Sequence, residues 1–308
     1  MKVLTVIIPT NGITDILKKV LFLLNFQTFK DFEVFVVDTS NQNITNQTID
    51  IDLSYGLKII SCQYSTKSHA RNLGLRISKS EYVLFLDADM LPHRDLIYHH
   101  LSILNKSKAA CVGLELRTKT TQEYEKVLQI LQKVQQTKHE NQQISYINQM
   151  FKQRFSNKSR KNLLSRKIEW YKFLTGNLSC KRETFIKAGM FDANFVSYGY
   201  EDLELGYRFN KLGIPIIFNP RAITIHLHPL PTDKRIQNKI ESVQNLKKFY
   251  YKYLNQEILQ KLGINFYSRI VYEMLPNKIK QFLMEYSEDY KVNYVFWKSF
   301  VNEISKNN

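Results

Sequence analysis

Tyr82-Val83-Leu84-Phe85-Leu86-Asp87-Ala88-Asp89 is an apolar run that ends on two carboxylates. Five consecutive apolar residues bounded by polar ones read as a strand covered on both faces, the setting of a parallel sheet. Ligands of open parallel sheets bind beyond the carboxyl ends of strands, so Asp87 and Asp89 stand where a site is expected. Spaced i, i+2 at a strand end, the two can reach one locus as the chain turns. They offer hard oxygen ligands to Mn²⁺ or Mg²⁺, with a diphosphate completing the shell. The plain competing reading is a solvated strand-to-turn junction, where Asp is common.

The flanking sequence repeats the pattern. Val3–Ile8 is almost continuously apolar and stops at Pro9, and Ile13, Ile16, Leu17, Val20, Leu21 and Leu24 follow at helical spacing. Phe32–Val37 is another run and stops at Asp38, a second acid at a strand end. Leu57–Ile60 is a weaker strand, Ala70, Leu73, Gly74 and Ile77 mark a helix face, and Ala109–Leu116 reads as a further strand. This alternation predicts an α/β unit with a parallel sheet over residues 1–117. From 118 to 168 Gln, Lys, Asn and Ser dominate, and Val127, Ile130, Leu131 and Val134 fall at helical intervals. That stretch predicts a polar helical insertion, loosest around Asn157–Lys161. Compact α/β character returns over 169–230, and 231–308 reads as a carboxyl-terminal extension of amphipathic helices rich in Lys and Tyr.

Composition narrows the classes. With 44% hydrophobic residues over 308 positions, the chain is globular rather than disordered. It holds no apolar window approaching the roughly 18–20 residues that cross a bilayer. Met1 leads directly into strand-like sequence, with no secretory h-region. Cys62, Cys111 and Cys180 show no paired spacing, which argues against a zinc site or a disulfide framework and for a reducing cytoplasm. Lys and Arg outnumber Asp and Glu 44 to 28, a net charge of +16. Such a surplus suggests an anionic partner, whether nucleic acid, an acidic membrane surface or a phosphorylated substrate; solubility is the plain alternative.

Three further blocks carry candidate chemistry. Ser68-His69-Ala70-Arg71-Asn72-Leu73-Gly74-Leu75 is a polar, basic helix start with small residues that permit close packing. Gly199-Tyr200-Glu201-Asp202-Leu203-Glu204-Leu205-Gly206-Tyr207-Arg208 opens a helix on acids, as the helix dipole favours. Ile223-Thr224-Ile225-His226-Leu227-His228-Pro229 is a strand with two histidines on one face. Trp170, Tyr198 and Tyr200 are read either as core residues or as rings that stack on a sugar, with the two tyrosines beside the acids favouring an acceptor.

In order and spacing these blocks resemble the family 2 glycosyltransferases of the GT-A fold, and Tyr198–Arg208 resembles the carboxyl-terminal half of galactosyltransferase-type enzymes. The resemblance spans about residues 3–117 and 170–229. It implies a Rossmann-like, nucleotide-diphospho-sugar transferase sheet with a catalytic domain over 1–230. It also implies an inverting transfer of a hexose or N-acetylhexosamine from a UDP-sugar to a hydroxyl of a glycan, glycolipid or peptide, as in bacterial glycan biosynthesis. On the resemblance, Pro9, Thr10 and Asp38 contact the uridine, Arg71 and Asn72 lie near the nucleotide, and Ala88, between the two acids of the motif, also belongs to the nucleotide-sugar site. Asp87 reaches the ribose, and Asp89 binds Mn²⁺ (or Mg²⁺) with His226, or alternatively His228. Asp202 is the base and Glu201 positions the acceptor. Where the family usually has Tyr-Asn after the first strand, this chain has Asn11-Gly12.

The chemistry is consistent with those residue types. A divalent cation offsets charge on a leaving diphosphate, and an attacking hydroxyl needs a carboxylate to take its proton. Two other readings remain at this level. A nucleotidyltransferase lacks its Gly-rich phosphate loop followed by lysine. A basic nucleic-acid- or membrane-binding protein with a non-catalytic domain of this fold draws on the +16 charge, but no zinc, RRM or helix-turn-helix signature accompanies it, so no nucleic acid is expected. The basic carboxyl-terminal helices suggest either an anionic membrane surface, as in peripheral contact with the inner face of the plasma membrane, or a large acceptor, and packing against the catalytic domain is the plainer reading.

Overall fold

The structure is a computed structural model, which describes residues 2–40, 49–64, 66–118, 120–154, 164–196, 198–227, 242, 244–246 and 248–261. The segment around Asn157–Lys161, His228 and most of the carboxyl-terminal helical region lie outside the described residues. The chain divides into two compact units, Met1–Ala193 with Leu205–Pro229, and Asn194–Glu204 with Leu230–Asn308.

The first unit is built on one sheet. Its strands are β1 (Leu4–Thr10), β2 (Phe32–Asp38), β3 (Gly56–Ser61), β4 (Tyr82–Leu86), β5 (Met90–Pro92), β6 (Ala110–Arg117), β7 (Arg166–Lys167), β8 (Asn177–Lys181) and β9 (Ile216–His226). They lie in the order β3-β2-β1-β4-β8-β6-β9-β5, with β7 also paired to β9. The first four are mutually parallel, as the apolar runs require. Every residue of β1 and β4 is buried, so these are the central strands. β8 breaks the pattern by running antiparallel to both β4 and β6, and β5 runs antiparallel to β9.

Helices cover the faces. In α1 (Asp15–Leu24) the Thr14 hydroxyl accepts from the Leu17 amide at 3.1 Å, capping the first turn, and Leu17, Val20, Leu21 and Leu24 turn to the core. In α2 (Lys67–Ile77) Thr66 caps in the same way onto His69. Gly74 lets this helix lie hard against the sheet, because a Cβ there would come 2.6 Å from Ile7 Cγ2. One turn earlier on α2 stands Arg71, which that close approach carries toward the end of β4. The helix α3 (Leu96–Leu104) follows β5, and α4 (Thr121–Gln136) and α5 (Glu140–Arg154) form the polar insertion. Val127, Leu131 and Val134 of α4 are buried, as their spacing predicts. Further helices include α6 (Arg182–Lys187), α7 (Glu201–Lys211), whose first turn belongs to the second unit, and α8 (Gln256–Lys261). Trp170, one of the aromatics read as either core or sugar-stacking, is 1% exposed and packs edge-on against Tyr207, so it is core.

A buried polar knot ties α3 to the sheet beneath the site. Asn177 Nδ2 donates to the Ala222 carbonyl at 3.0 Å, which leaves its Oδ1 to accept from His100 Nε2 at 2.7 Å. His100 Nδ1 then accepts from the Ser179 hydroxyl at 2.7 Å, so the imidazole is neutral with both nitrogens satisfied. Burial pushes His100 down from 6.5 to about 4. A protonated His100 would lose its acceptor nitrogen in an apolar surround. The unfolded chain takes up this proton near 6.5 and the folded chain only near 4, so stability falls as pH drops through that window and levels off below it. The expected loss is about 3 kcal/mol, read from urea unfolding at pH 7.5, 5.5 and 4, and the pH slope should be shallower in His100→Gln.

Candidate active site

The site lies where β1, β2 and β4 end. Pro9 and Thr10 close β1, and Gly12 follows with φ of +92°, a conformation that residues with a Cβ rarely adopt. The Gly12 amide donates to Asp38 Oδ1 at 2.7 Å, and the Thr10 hydroxyl donates to the Gly12 carbonyl at 2.6 Å. Asp38 Oδ2 also accepts from the Ser40 hydroxyl at 2.7 Å. Buried at 1% exposure, Asp38 thus fastens the turns after β1 and β2 together. The Asn11-Gly12 departure acquires a local reason, since the turn needs both a positive φ and a free amide.

Between these turns and the end of β4 is an open cleft of about 430 Å³, lined by Pro9, Thr10, Asn11, Thr14, Ile16, Thr39, Lys67, Asp87, Ala88, Asp89 and Leu227. Pro9, Thr10, Asp87, Ala88 and Asp89, all singled out in the sequence, meet there. Lys67 is an addition. It sits in the first turn of α2 without apolar neighbours to mark it, and only the fold shows that it reaches Asp87.

Asp87 is held by two cations. Arg71 Nη2 donates to Asp87 Oδ1 at 2.9 Å and Lys67 Nζ to Oδ2 at 3.2 Å. Burial alone would raise the Asp87 carboxyl, but Lys67 and Arg71 outweigh it and hold the group below the usual carboxylate range. Arg71 is itself buried, with its guanidinium over the Phe191 ring at 5.3 Å. Asn72 acts next to it. Its side-chain amide donates to the Phe191 carbonyl at 2.8 Å and accepts from the Phe191 amide at 2.9 Å, clasping a segment 119 residues away.

Asp89 faces a different partner. The short strand β5 pairs antiparallel with β9, setting Met90 opposite His226, and the Leu227 amide donates to the Asp89 carbonyl at 2.9 Å. This register brings His226 Nε2 to 3.1 Å from Asp89 Oδ2. A carboxylate oxygen and an imidazole nitrogen at that separation are ligand types that suit a divalent cation drawing its other ligands from a diphosphate and water. Among the described residues no group of three His, Cys, Asp or Glu side chains forms a complete metal cage, so the protein offers this pair.

A third carboxylate, not anticipated from the sequence, adjoins them. Glu115 of β6 is largely buried, and its Oε2 accepts from Arg117 Nη2 at 3.3 Å. Burial raises its carboxyl above the usual range, with Asp87 adding to the rise and Arg117 and His226 opposing it. Gly176, just before β8, makes room: a Cβ there would lie 3.0 Å from Glu115 Oε1 and 3.6 Å from Asp87 Oδ2.

Glu201 and Asp202 begin α7, in the second unit. Two left-handed residues, Gly199 at φ +78° and Tyr200 at φ +67°, set the start of that helix. Asp202 Oδ1 accepts from the Leu203 amide at 2.8 Å. Burial and the nearby Asp202 charge raise the half-buried Tyr200 phenol, whereas Tyr198 is exposed. Two residues further, Glu204 is fully buried and accepts from Lys252 Nζ at 2.8 Å and Tyr253 Oη at 2.5 Å, anchoring the helix start within its unit.

Known proteins resemble this chain over much of its length. The family model described as "Glycosyl transferase family 2" matches residues 5–169, and one described as "N-terminal domain of galactosyltransferase" matches 155–229. The chain is 27% identical over 248 residues to a chondroitin synthase of Escherichia coli, covering 73% of this chain and 35% of that protein. It is 24% identical over 255 residues to the uncharacterized glycosyltransferase YfnE of Bacillus subtilis, covering 73% of this chain and 65% of that one. The chain therefore spans between about a third and two thirds of the length of these relatives. Among solved structures it is similar to the mannosyltransferase PcManGT of Pyrobaculum calidifontis in complex with GDP-Man and Mn²⁺, at a TM-score of 0.55 and 20% identity over 80% of this chain and 64% of that one. Staphylococcus aureus TarS matches with a TM-score of 0.52 at 13% identity, over 97% of this chain and 55% of that one. These likenesses show a shared GT-A fold. With the family match running through β1, Asp38, Arg71 and the Asp87–Asp89 turn, the chain belongs to glycosyl transferase family 2.

Proposed function

We propose that the protein transfers a sugar from a UDP-sugar to an acceptor hydroxyl on a glycan, glycolipid or peptide, with inversion at the anomeric carbon. The observation that carries this reading is the approach of Asp89 to His226 beside a cleft walled by the ends of β1 and β4. Family membership and the nucleotide-sugar and Mn²⁺ named for PcManGT support it. Among the described residues no helix is long and apolar enough to cross a membrane.

Asp89 and His226 would hold Mn²⁺ or Mg²⁺, which when bound offsets negative charge on the departing diphosphate. Pro9, Thr10 and Asn11 wall the nucleoside end. Asp87, kept ionised by Lys67 and Arg71, accepts from ribose or sugar hydroxyls. Lys67 also lines the cleft, within reach of a diphosphate. Asp202, in the first turn of a helix whose dipole favours its anionic form, takes the acceptor proton as the hydroxyl oxygen bonds to the anomeric carbon. The bond from that carbon to the diphosphate breaks on the opposite face, and the electron pair leaves with UDP. Glu201 beside it positions the acceptor.

Titrating UDP into the protein with Mn²⁺ or with EDTA tests the cation pair. Asp89→Ala should weaken UDP binding by about 10–100-fold in Mn²⁺ and change it little in EDTA. If wild-type binding is indifferent to EDTA, the metal reading fails. For the base, Asp202→Asn should leave UDP-sugar binding within about twofold and lower transfer, measured as UDP release, by at least about 100-fold. Parallel loss of binding and transfer would remove Asp202 from that role.

A further inference from the structure

Glu201 and Asp202 stand between two fastenings, and both come from the carboxyl-terminal extension. Upstream, Gly199 and Tyr200 are consecutive left-handed residues, at φ +78° and +67°. In a residue with a Cβ this conformation persists only where the surroundings enforce it, and it gathers at functional sites. Asn245, itself buried, supplies part of that enforcement by donating from Nδ2 to the Gly199 carbonyl at 2.8 Å. Lys248 Nζ donates to the Asn194 carbonyl at 2.7 Å, where the same segment begins. Downstream, the buried Glu204 carboxylate accepts from Lys252 Nζ at 2.8 Å and from Tyr253 Oη at 2.5 Å, both on Oε1. Residues 248–253 are helical, which sets Lys248 and Lys252 one turn apart on one face, and Asn245 lies in the helical residues 244–246 just before. The extension thus directs its ammonium groups onto the segment that carries the two acids.

We propose that this part of the extension belongs to the transfer machinery: Lys252 and Tyr253, acting through Glu204, and Asn245, acting through Gly199, are positioning residues for Asp202 and Glu201. The inference rests on Asp202 as the base. Glu204 lies two residues beyond Asp202 in the first turn of α7, and its amide donates to the Tyr200 carbonyl at 2.9 Å. The carboxylate, the left-handed turn and Asp202 therefore move together. A carboxylate buried without a cation is driven outward to water or takes up a proton. Lys252 removes that drive, which Tyr253, a neutral donor, would not do alone. An acid displaced by about 1 Å from the hydroxyl it serves loses about 100-fold in rate. The residues lining the cleft belong to the first unit, so nucleotide binding and turnover are separable.

The test compares wild type, Lys252→Met and Lys252→Arg in the full chain. UDP is titrated by calorimetry in Mn²⁺, and UDP release is measured from a UDP-hexose and a UDP-N-acetylhexosamine. Methionine keeps most of the apolar stem and removes the charge. Lys252→Met should bind UDP within about twofold of wild type, which also shows that the first unit is folded, and keep KM for the UDP-sugar within about twofold. Its kcat should fall by about 10–100-fold. Lys252→Arg restores the cation and should recover kcat to within about fivefold of wild type. Unchanged kcat in Lys252→Met overturns the assignment, as does parallel loss of UDP binding and kcat, or a Lys252→Arg no better than Lys252→Met. Asp202→Asn, run alongside, separates the two readings. If wild type releases no UDP, or Asp202→Asn releases it as fast, the base reading falls and takes this one with it. If Asp202→Asn loses turnover and Lys252→Met does not, only the positioning role falls.

Discussion

The guanidinium of Arg71 is buried inside the protein, and an uncompensated charge there would cost several kcal/mol. Asp87 provides the compensation at 2.9 Å, and the face of Phe191 covers the cation. The rest of the site is arranged around this pair. It fixes α2 against the end of β4, which Gly74 permits by bringing the helix down onto Ile7. It holds Asp87 ionised and aimed, and it sets the turn from which Asp89 departs toward His226. Asn72, the next residue along, secures Phe191 through two backbone bonds, so the cover over Arg71 is fixed by its neighbour.

Much of this was legible in the sequence because buried central strands write their position plainly. Runs such as Val3–Ile8 and Tyr82–Leu86 have one physical use, and an acid directly after such a run falls at the sheet's ligand-binding edge. The amphipathic pattern of α4 was equally direct. His226 could be placed on a strand, but its partner could not be chosen from sequence. That choice is made by β5, three residues long and with no periodicity to detect.

Glu115 was hidden for a related reason. Leu114-Glu115-Leu116-Arg117 alternates apolar and polar residues, a pattern that ordinarily marks a strand with one wet face. Here Glu115 is largely buried and within electrostatic reach of Asp87 and His226, a placement that depends on β8 inserting antiparallel between β4 and β6. Asp38 shows the opposite difficulty. Its position at a strand end was clear, yet its carboxylate is engaged by the Gly12 amide and by Ser40, a use that depends on the turn geometry of a distant segment. Lys67 and Trp170 make the same point at smaller scale, since a lone exposed lysine and a lone tryptophan carry no pattern until their neighbours are known.

The pairing of Asp89 with a histidine 137 residues later also has a temporal meaning. A ribosome delivers the chain from its amino terminus, at about 5–20 residues per second. During that interval β1 to β4 can assemble from neighbouring segments, but β4 lacks β8, Arg71 lacks the Phe191 cover and Asp89 lacks its imidazole. A nascent chain of this protein therefore exposes one edge of its central sheet for several seconds before the site closes. Such an edge is what holding chaperones protect, and a message truncated before the codon for His226 would leave Asp89 without its imidazole partner.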